Sequence, residues 1–324
     1  MENNASTQLL DQPKEKISFF GKGATYFGIV AINLVLTVVT IGLYYPWAKA
    51  TYRKYVWNET EFKGSRFVFN GTGKEMFKGF LIAYLAFIGV YFLLTLMTGF
   101  LSYAWIGILV FYGLLLLFIP FAIFGAWRYR VTRTSWRGIY FSFDGQLKEF
   151  VKLFVVQGFL TIITFGIYYS WMRVKIQKYL FSHTSIGDLK LDFHGDGGEL
   201  FGINILGGVL FYITLFLYVP IWMKQRFNFT IDNTTISDGT IRKRLKSTLE
   251  NGEAWTTLVT NGLLLIVTLG IAFPWTFMRK TNMYFRNVEL PVDFDYDNLA
   301  QSDGDFKDAT ADEMIDILDM GLDF

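Results

Sequence analysis

Residues 33–47 read NLVLTVVTIGLYYPW, residues 157–171 read QGFLTIITFGIYYSW, and residues 261–275 read NGLLLIVTLGIAFPW. Each stretch contains an amide residue, a threonine seven positions later, a glycine two positions after the threonine and a tryptophan five positions after the glycine. The three stretches align without a gap, which is the signature of an internal repeat. Each lies within a long uncharged run, so these stretches decide the fold prediction.

The apolar composition predicts a membrane protein. Of the 324 residues, 52% are hydrophobic and 19% aromatic, and the mean hydropathy is +0.32. A helix needs about 20 mostly apolar residues to cross the hydrocarbon core. Uncharged runs extend over 24–48, 79–127, 153–172, 200–223 and 254–278. The second run has room for two crossings around a turn near Gly99, so we predict an all-α membrane protein with about six transmembrane helices.

A second repeated element sets the domain organisation. Phe-x-Gly-x-Gly occurs at 19–23, 69–73 and 193–197. The spacing from Phe69 to Phe193 equals the spacing from Thr40 to Thr164 in the first motif, which indicates a duplicated unit. With three crossings per unit, the two copies would lie in opposite orientations, as inverted repeats do. We predict a polar tail over 1–23, a membrane domain over 24–290 and a disordered acidic tail over 291–324. The repeats within the membrane domain are predicted at about 19–127, 143–222 and 228–290.

Residues in the loops alternate between apolar and polar types. The segments 62–69 (FKGSRFVF) and 139–143 (IYFSF) have apolar residues at every second position. This period is typical of β-strands. We therefore predict short strand-like loops between the helices.

The net charge of +2 conceals an uneven distribution. The last 34 residues carry eleven acids and one base, which leaves 29 bases against 17 acids in the rest of the chain. Basic loops beside apolar helices indicate contact with anionic lipid headgroups rather than with nucleic acid. The acidic tail is a candidate for binding a protein partner.

Polar residues within the apolar runs are the candidate functional residues. In the first copy, Asn33, Thr37 and Thr40 are spaced to share one helix face. The other copies contribute Gln157, Thr161, Thr164, Asn261 and Thr268. Two interpretations remain open. These side chains either form interhelical contacts or line a polar path for a small solute.

Each copy ends in a tryptophan that is followed by basic residues. The three tryptophans are Trp47, Trp171 and Trp275. Tryptophan prefers the headgroup level of a bilayer, and Lys or Arg extends just beyond it. We predict that these tryptophans are interfacial anchors.

No residue pattern predicts catalysis or metal binding. The chain has no cysteine, and its histidines, His183 and His194, lack the spacing of a zinc site. None of the nucleophile-elbow, metalloprotease, phosphate-loop or kinase motifs occurs. These absences make a membrane enzyme the least favoured function, and we predict no cofactor.

The combined motifs resemble those of a known family. The segments TIGLYYPWAKATYRKY (40–55), FNGTGKEMF (69–77) and TLGIAFPW (268–275) are similar to the YjgN family of bacterial inner-membrane proteins. The resemblance covers about residues 17–290. It implies a multi-pass protein of the bacterial inner membrane and identifies no catalytic or binding residue, because the family has no known function.

Two functions are compatible with these features. The first is a transporter or channel for a small solute or a lipid, which the repeats and the polar helix faces favour. The alternative is a noncatalytic membrane scaffold that recruits a partner through its loops and its acidic tail. The two hypotheses differ in whether the polar residues contact a ligand.

Overall fold

The Thr-x-Gly motif ends a helix in the computed structural model, which describes residues 15–100, 104–292 and 294–299. After Thr40, the backbone turns left-handed at Ile41 (φ 52°) and Gly42 (φ 87°). The Gly42 N–H donates to the Thr37 carbonyl (2.7 Å), and the Ile41 N–H donates to the Val38 carbonyl (3.1 Å). This pair of hydrogen bonds is a Schellman motif, which stops an α-helix.

The threonine of the motif connects the helix that ends to the helix that follows. The Thr40 hydroxyl donates to the Leu36 carbonyl (2.7 Å) and accepts from the Tyr44 N–H (3.0 Å). Thr164 and Thr268 make the same two contacts at the other breaks. The repeated motif therefore encodes a break between two helices of one pair.

The described helices form five successive pairs. They are α1 (Gly23–Val39), α2 (Tyr45–Asn58), α3 (Gly73–Phe100), α4 (Ala104–Thr132), α5 (Leu147–Ile163), α6 (Tyr169–Ser182), α7 (Gly197–Ile213), α8 (Val219–Asp232), α9 (Asn251–Val267) and α10 (Phe273–Arg286). Each helix contacts the next one along the chain, and α10 contacts α1. The helices thus form a closed ring.

The prediction of an all-α protein with about six transmembrane helices is wrong. Within the described residues, no helix has both the length and the apolarity that crossing a bilayer requires. The runs 24–48, 153–172, 200–223 and 254–278 are each divided by a five-residue break between two helices. The predicted turn near Gly99 falls at the end of α3, and residues 101–103 lie outside the described residues.

Strands lie between the helix pairs, so the chain is also not all-α. The strands are β1 (Glu15–Lys16), β2 (Ser18–Phe19), β3 (Thr60–Phe62), β4 (Ser65–Phe69), β5 (Thr134–Trp136), β6 (Ile139–Phe143), β7 (Thr184–Ile186), β8 (Leu189–Phe193), β9 (Thr234–Ser237), β10 (Arg242–Arg244), β11 (Lys246–Ser247) and β12 (Val288–Leu290). Strands β2 to β10 form an antiparallel sheet in sequence order, and β12 pairs with both β1 and β11. Single residues separate β1 from β2 and β10 from β11, so the two sheets together close a second ring, the strand ring.

The interior of the strand ring is the largest apolar core. Phe62, Trp136, Leu189 and Ile236 come from four different strands and pack together with Phe294 and Tyr296. The last two residues belong to the predicted acidic tail and are only 5% and 4% exposed. The start of that tail therefore fills the strand ring, whereas residues 300–324 lie outside the described residues.

Replacing Gly42 by valine is expected to lower the free energy of unfolding by about 1–2 kcal/mol. A side chain at φ 87° is strained, although no other atom lies within 4 Å of the position. Thermal unfolding of the purified full chain in detergent measures the change. The control is Gly42→Asn, since asparagine tolerates this conformation. Equal stability of the two variants would contradict the assignment of backbone strain.

Candidate functional site

The ends of the helix pairs farthest from the strands expose large apolar side chains. Every pair begins and ends beside a strand, so the breaks lie at the opposite end of the molecule. The exposed fractions are 81% for Ile41, 97% for Phe165, 77% for Leu215 and 92% for Leu269. We call these four residues and their exposed apolar neighbours the apolar tip surface. An apolar surface of this kind marks a site of contact with a membrane or another protein.

Two of the three predicted amides connect the helices of one pair. Gln157 Oε1 accepts from the Tyr168 hydroxyl at 3.0 Å, and Asn261 Nδ2 donates to the Thr276 carbonyl at 3.1 Å. Both side chains are buried. Their geometry is that of interhelical contacts.

Asn33 has a different environment. Its side chain is half-buried and has no hydrogen-bond partner among the described residues. It lines a cavity between α1, α2 and α10 instead. The same sequence motif therefore provides two internal contacts and one cavity-lining amide.

The predicted threonines bond mainly within their own helix pairs. Thr37 donates to the Asn33 carbonyl (2.6 Å), and Thr161 donates to the Gln157 carbonyl (2.8 Å). Thr40, Thr164 and Thr268 bridge the helix breaks, as described above. In the described part of the chain, no hydrogen bond connects the predicted polar residues of one copy with those of another. Of these residues, Asn33 and Thr37 line the cavity between α1, α2 and α10.

The three predicted anchor tryptophans lie at seams between helix pairs. Trp47 packs on Gly73, Trp171 packs on Gly197, and Trp275 packs on Gly23. All three are partly exposed. Their predicted contact with the bilayer interface stays a prediction.

The cavity between α1, α2 and α10 is a groove that is open to the surface, and its volume is about 400 Å³. Most of its lining is apolar or aromatic. The lining residues are Tyr26, Ile29, Val30, Asn33, Leu34 and Thr37 from α1, Tyr45, Ala48, Lys49 and Tyr52 from α2, and Phe273 and Phe277 from α10. A few polar groups in an apolar lining are typical of ligand sites.

Basic side chains lie beside the cavity. Lys49 Nζ is 5.7 Å from the centre of the Tyr52 ring, and Arg53 follows one turn later on α2. The Arg53 guanidinium lies 5.9 Å from the ring centre of Tyr129, which precedes Arg130 on α4, and the charges of Arg53 and Arg130 both act on Tyr52, so Arg130 lies in the same neighbourhood. We call Lys49, Arg53 and Arg130 the basic recess.

The surroundings of the recess disfavour its positive charge. Burial lowers the pKa of Arg53, and burial together with the charge of Arg53 lowers the pKa of Arg130. The Arg130 side chain is nevertheless solvent-exposed. Arg130 is therefore accessible to a ligand from solvent.

Sequence reasoning missed the recess as a site. It assigned Lys49 and Arg53 to the basic run that follows an interfacial tryptophan. Their spacing of four residues places both on one helix face, which is the available signal. No local pattern connects them with Arg130 on another helix pair.

Comparisons with known proteins identify relatives. The model of the family "Bacterial protein of unknown function (DUF898)" matches residues 14–159, 140–211 and 202–317. "Inner membrane protein YjgN" of Escherichia coli O157:H7 is 35% identical over 139 residues, which is 43% of this chain and 33% of that protein. The protein of the same name from Salmonella typhimurium (strain LT2) is 26% identical over 211 residues, 64% of this chain and 50% of that protein.

A third relative, from Escherichia coli (strain K12), is 34% identical over 141 residues, 44% of this chain and 34% of that protein, and it is also named "Inner membrane protein YjgN". The chain thus matches about a third to a half of the length of these relatives. No solved structure matches the chain.

Proposed function

On the premise that the chain belongs to DUF898, the bacterial family of unknown function that includes the inner membrane protein YjgN, we propose that it binds and transports a lipid. The family resemblance predicted from the motifs is confirmed. The protein is located in the bacterial inner membrane, and its environment is a lipid bilayer. The proposal concerns what it does there.

The cavity between α1, α2 and α10 is the observation that carries the proposal. Its walls are mainly aliphatic and aromatic, which suits an acyl chain better than a polar solute. Asn33 and Lys49 supply polar groups within the same cavity. An apolar space with a few polar groups matches an amphiphilic ligand.

The apolar tip surface supports access to lipid. Its exposed side chains, such as Ile41 and Leu269, gain free energy when they leave water for an apolar phase. Tyr45, beside the first break, lines the cavity, so the cavity extends towards this surface. Basic residues near the strands would then contact anionic headgroups. A lipid could enter the cavity without passing through bulk water.

The scaffold alternative depends on the acidic tail. The described acid Asp297 pairs with Lys63 (3.5 Å) and with Arg137 of the same chain. This acid is therefore already engaged within the protein. No observation favours the recruitment of a separate partner over lipid binding.

Filling the cavity is expected to weaken lipid binding by about tenfold, which corresponds to about 1.4 kcal/mol. Leu34→Trp adds bulk at the cavity wall, and Leu34 is 61% exposed, so the larger side chain causes no overpacking of the core. Binding of a phospholipid with a fluorescent acyl chain to the full chain in detergent measures the effect.

The matched control for this experiment is Leu263→Trp. Leu263 is 58% exposed on α9 and does not line the cavity. We expect it to bind the fluorescent phospholipid like the unaltered protein. If Leu34→Trp also bound the lipid with unchanged affinity, the cavity would not be the lipid site.

A further inference from the structure

The basic recess is continuous with the cavity. Lys49 and Tyr52 line the cavity itself, Arg53 lies one turn after Lys49 on α2, and the Arg53 guanidinium is 5.9 Å from the ring of Tyr129, the neighbour of Arg130 on α4. Positive charge from two helix pairs thus converges at one side of an apolar space. A ligand in this position could contact both the positive charges and the apolar walls of the cavity.

The arginines of the recess lack carboxylate partners in the described part of the chain. The Arg53 guanidinium lies 5.7 Å from the Phe69 ring centre and 5.9 Å from the Tyr129 ring centre, and it also contacts the Met76 sulfur at 4.0 Å. Arg130 stacks on Trp127 at 4.7 Å. Aromatic faces attract a cation weakly and leave the N–H donors of the guanidinium available.

Several arginines near the strands are paired instead. Arg133 contacts Glu75 at 3.3 Å, Arg286 contacts Glu253, and Arg137 contacts Asp297. The chain therefore supplies carboxylates to these arginines but not to the arginines of the recess. The positive charge of Arg53 disfavours that of Arg130, and an anion between the two would relieve this repulsion.

We infer that the basic recess binds the phosphate group of an anionic phospholipid whose acyl chain lies in the cavity. This inference rests on the proposed lipid binding and names the class of lipid. A guanidinium presents paired N–H donors that match two phosphate oxygens, and the Lys49 ammonium adds a third charge. Phosphate oxygens would satisfy the free donors and offset the repulsion between Arg53 and Arg130.

A lipid is favoured over free phosphate because the recess and the apolar cavity share residues. Lys49 and Tyr52 belong to the cavity wall as well as to the charged neighbourhood. A free anion would leave the apolar walls of the cavity without a partner. A phospholipid occupies both parts at once.

The test compares two phospholipids that have the same fluorescent acyl chains. Both lipids have an ionised phosphate, but the quaternary ammonium of phosphatidylcholine cancels its charge and would be repelled by the basic recess, whereas phosphatidylglycerol keeps a net negative charge. Binding to the full chain in detergent is therefore expected to favour phosphatidylglycerol by about tenfold, which corresponds to about 1.4 kcal/mol. Arg130→Gln is expected to abolish that preference and to keep the binding of phosphatidylcholine.

Two further variants make the result specific. Lys54→Gln removes a charge from an exposed position on α2, and the preference is expected to persist. Arg130→Lys retains the charge and is expected to keep part of the preference, which separates loss of charge from loss of fold. Arg130→Gln is expected to fold normally because the side chain is exposed.

Each outcome distinguishes this inference from the proposed function. Equal binding of both lipids, unchanged in Arg130→Gln, would overturn the assignment of an anionic lipid and leave lipid binding intact. Binding of neither lipid would overturn both proposals. Displacement of phosphatidylglycerol by inorganic phosphate at an equal concentration would identify a free-anion site and overturn the lipid assignment.

Discussion

Gly23→Ala is expected to lower the free energy of unfolding by about 3 kcal/mol, because no space exists for the added methyl group. A Cβ atom at Gly23 would lie 2.4 Å from Cδ1 of Trp275 and 2.8 Å from its backbone Cα. A flexible side chain could move away, but the backbone of α10 cannot do so without disturbing its own packing. Thermal unfolding of the full chain in detergent measures the loss.

The same substitution elsewhere in α1 serves as the control. Gly28 has no other atom within 4 Å of the position that a Cβ would occupy. Alanine favours a helix over glycine by about 0.5–1 kcal/mol, so Gly28→Ala is expected to raise stability. The two changes are chemically identical and have opposite expected signs.

The Gly23 experiment also tests whether the helix ring is closed. Gly23 belongs to the first helix and Trp275 to the last, so their contact exists only if α10 packs on α1. Trp275→Leu is expected to relieve much of the effect of Gly23→Ala, as a double-mutant cycle would reveal. Purely additive effects of the two substitutions would argue against the contact.

Local alternation of apolar and polar residues predicted one strand correctly, whereas the segment 62–69 is divided between β3 and β4. The alternating residues 139–143 were predicted to form a short strand, and β6 covers Ile139–Phe143. The aligned Thr-x-Gly motifs each mark the same structural event. Strands and helix breaks of this kind depend on residues that are close in sequence. The local residue pattern is therefore enough to predict where they occur.

The transmembrane prediction failed because hydropathy ignores backbone conformation. The run 24–48 has the length of a crossing, but Ile41 and Gly42 adopt positive φ values and stop the helix. A fourth break at Thr214 escaped notice because Phe216 (φ 73°) replaces the glycine. Its signal is the threonine, whose hydroxyl accepts from the Tyr218 N–H at 3.0 Å as in the other breaks.

The cavity and the basic recess depend on contacts between distant segments. Helices α1 and α10 meet only when the ring closes, and Arg53 comes within 5.9 Å of the Tyr129 ring only when α2 and α4 are assembled. The spacing of polar residues along one helix shows which side chains share a face, but it does not show which other helix packs against that face. This is why Asn33, Gln157 and Asn261 share a motif but differ in their surroundings.

Phe294→Ala is expected to destabilise the protein by about 3–5 kcal/mol, as is usual when a buried phenylalanine is truncated. The side chain is 5% exposed and belongs to the core inside the strand ring. Tyr296→Ala is expected to have a similar effect, because its ring packs edge-on against Phe62 at 5.1 Å and its hydroxyl donates to the Pro291 carbonyl at 2.8 Å. Chemical unfolding of the full chain in detergent measures both.

Phe20→Ala provides the control for these truncations. Phe20 is 48% exposed and lies beside the strand ring rather than inside it, so its loss is expected to cost less than about 1 kcal/mol. Asp297→Asn is also expected to have only a small effect, because Asp297 is exposed to solvent. If Phe294→Ala were no more destabilising than Phe20→Ala, the C-terminal segment would not fill the strand ring. Four strand residues, Phe62, Trp136, Leu189 and Ile236, form one part of this apolar core, and Phe294 and Tyr296 of the C-terminal segment complete it.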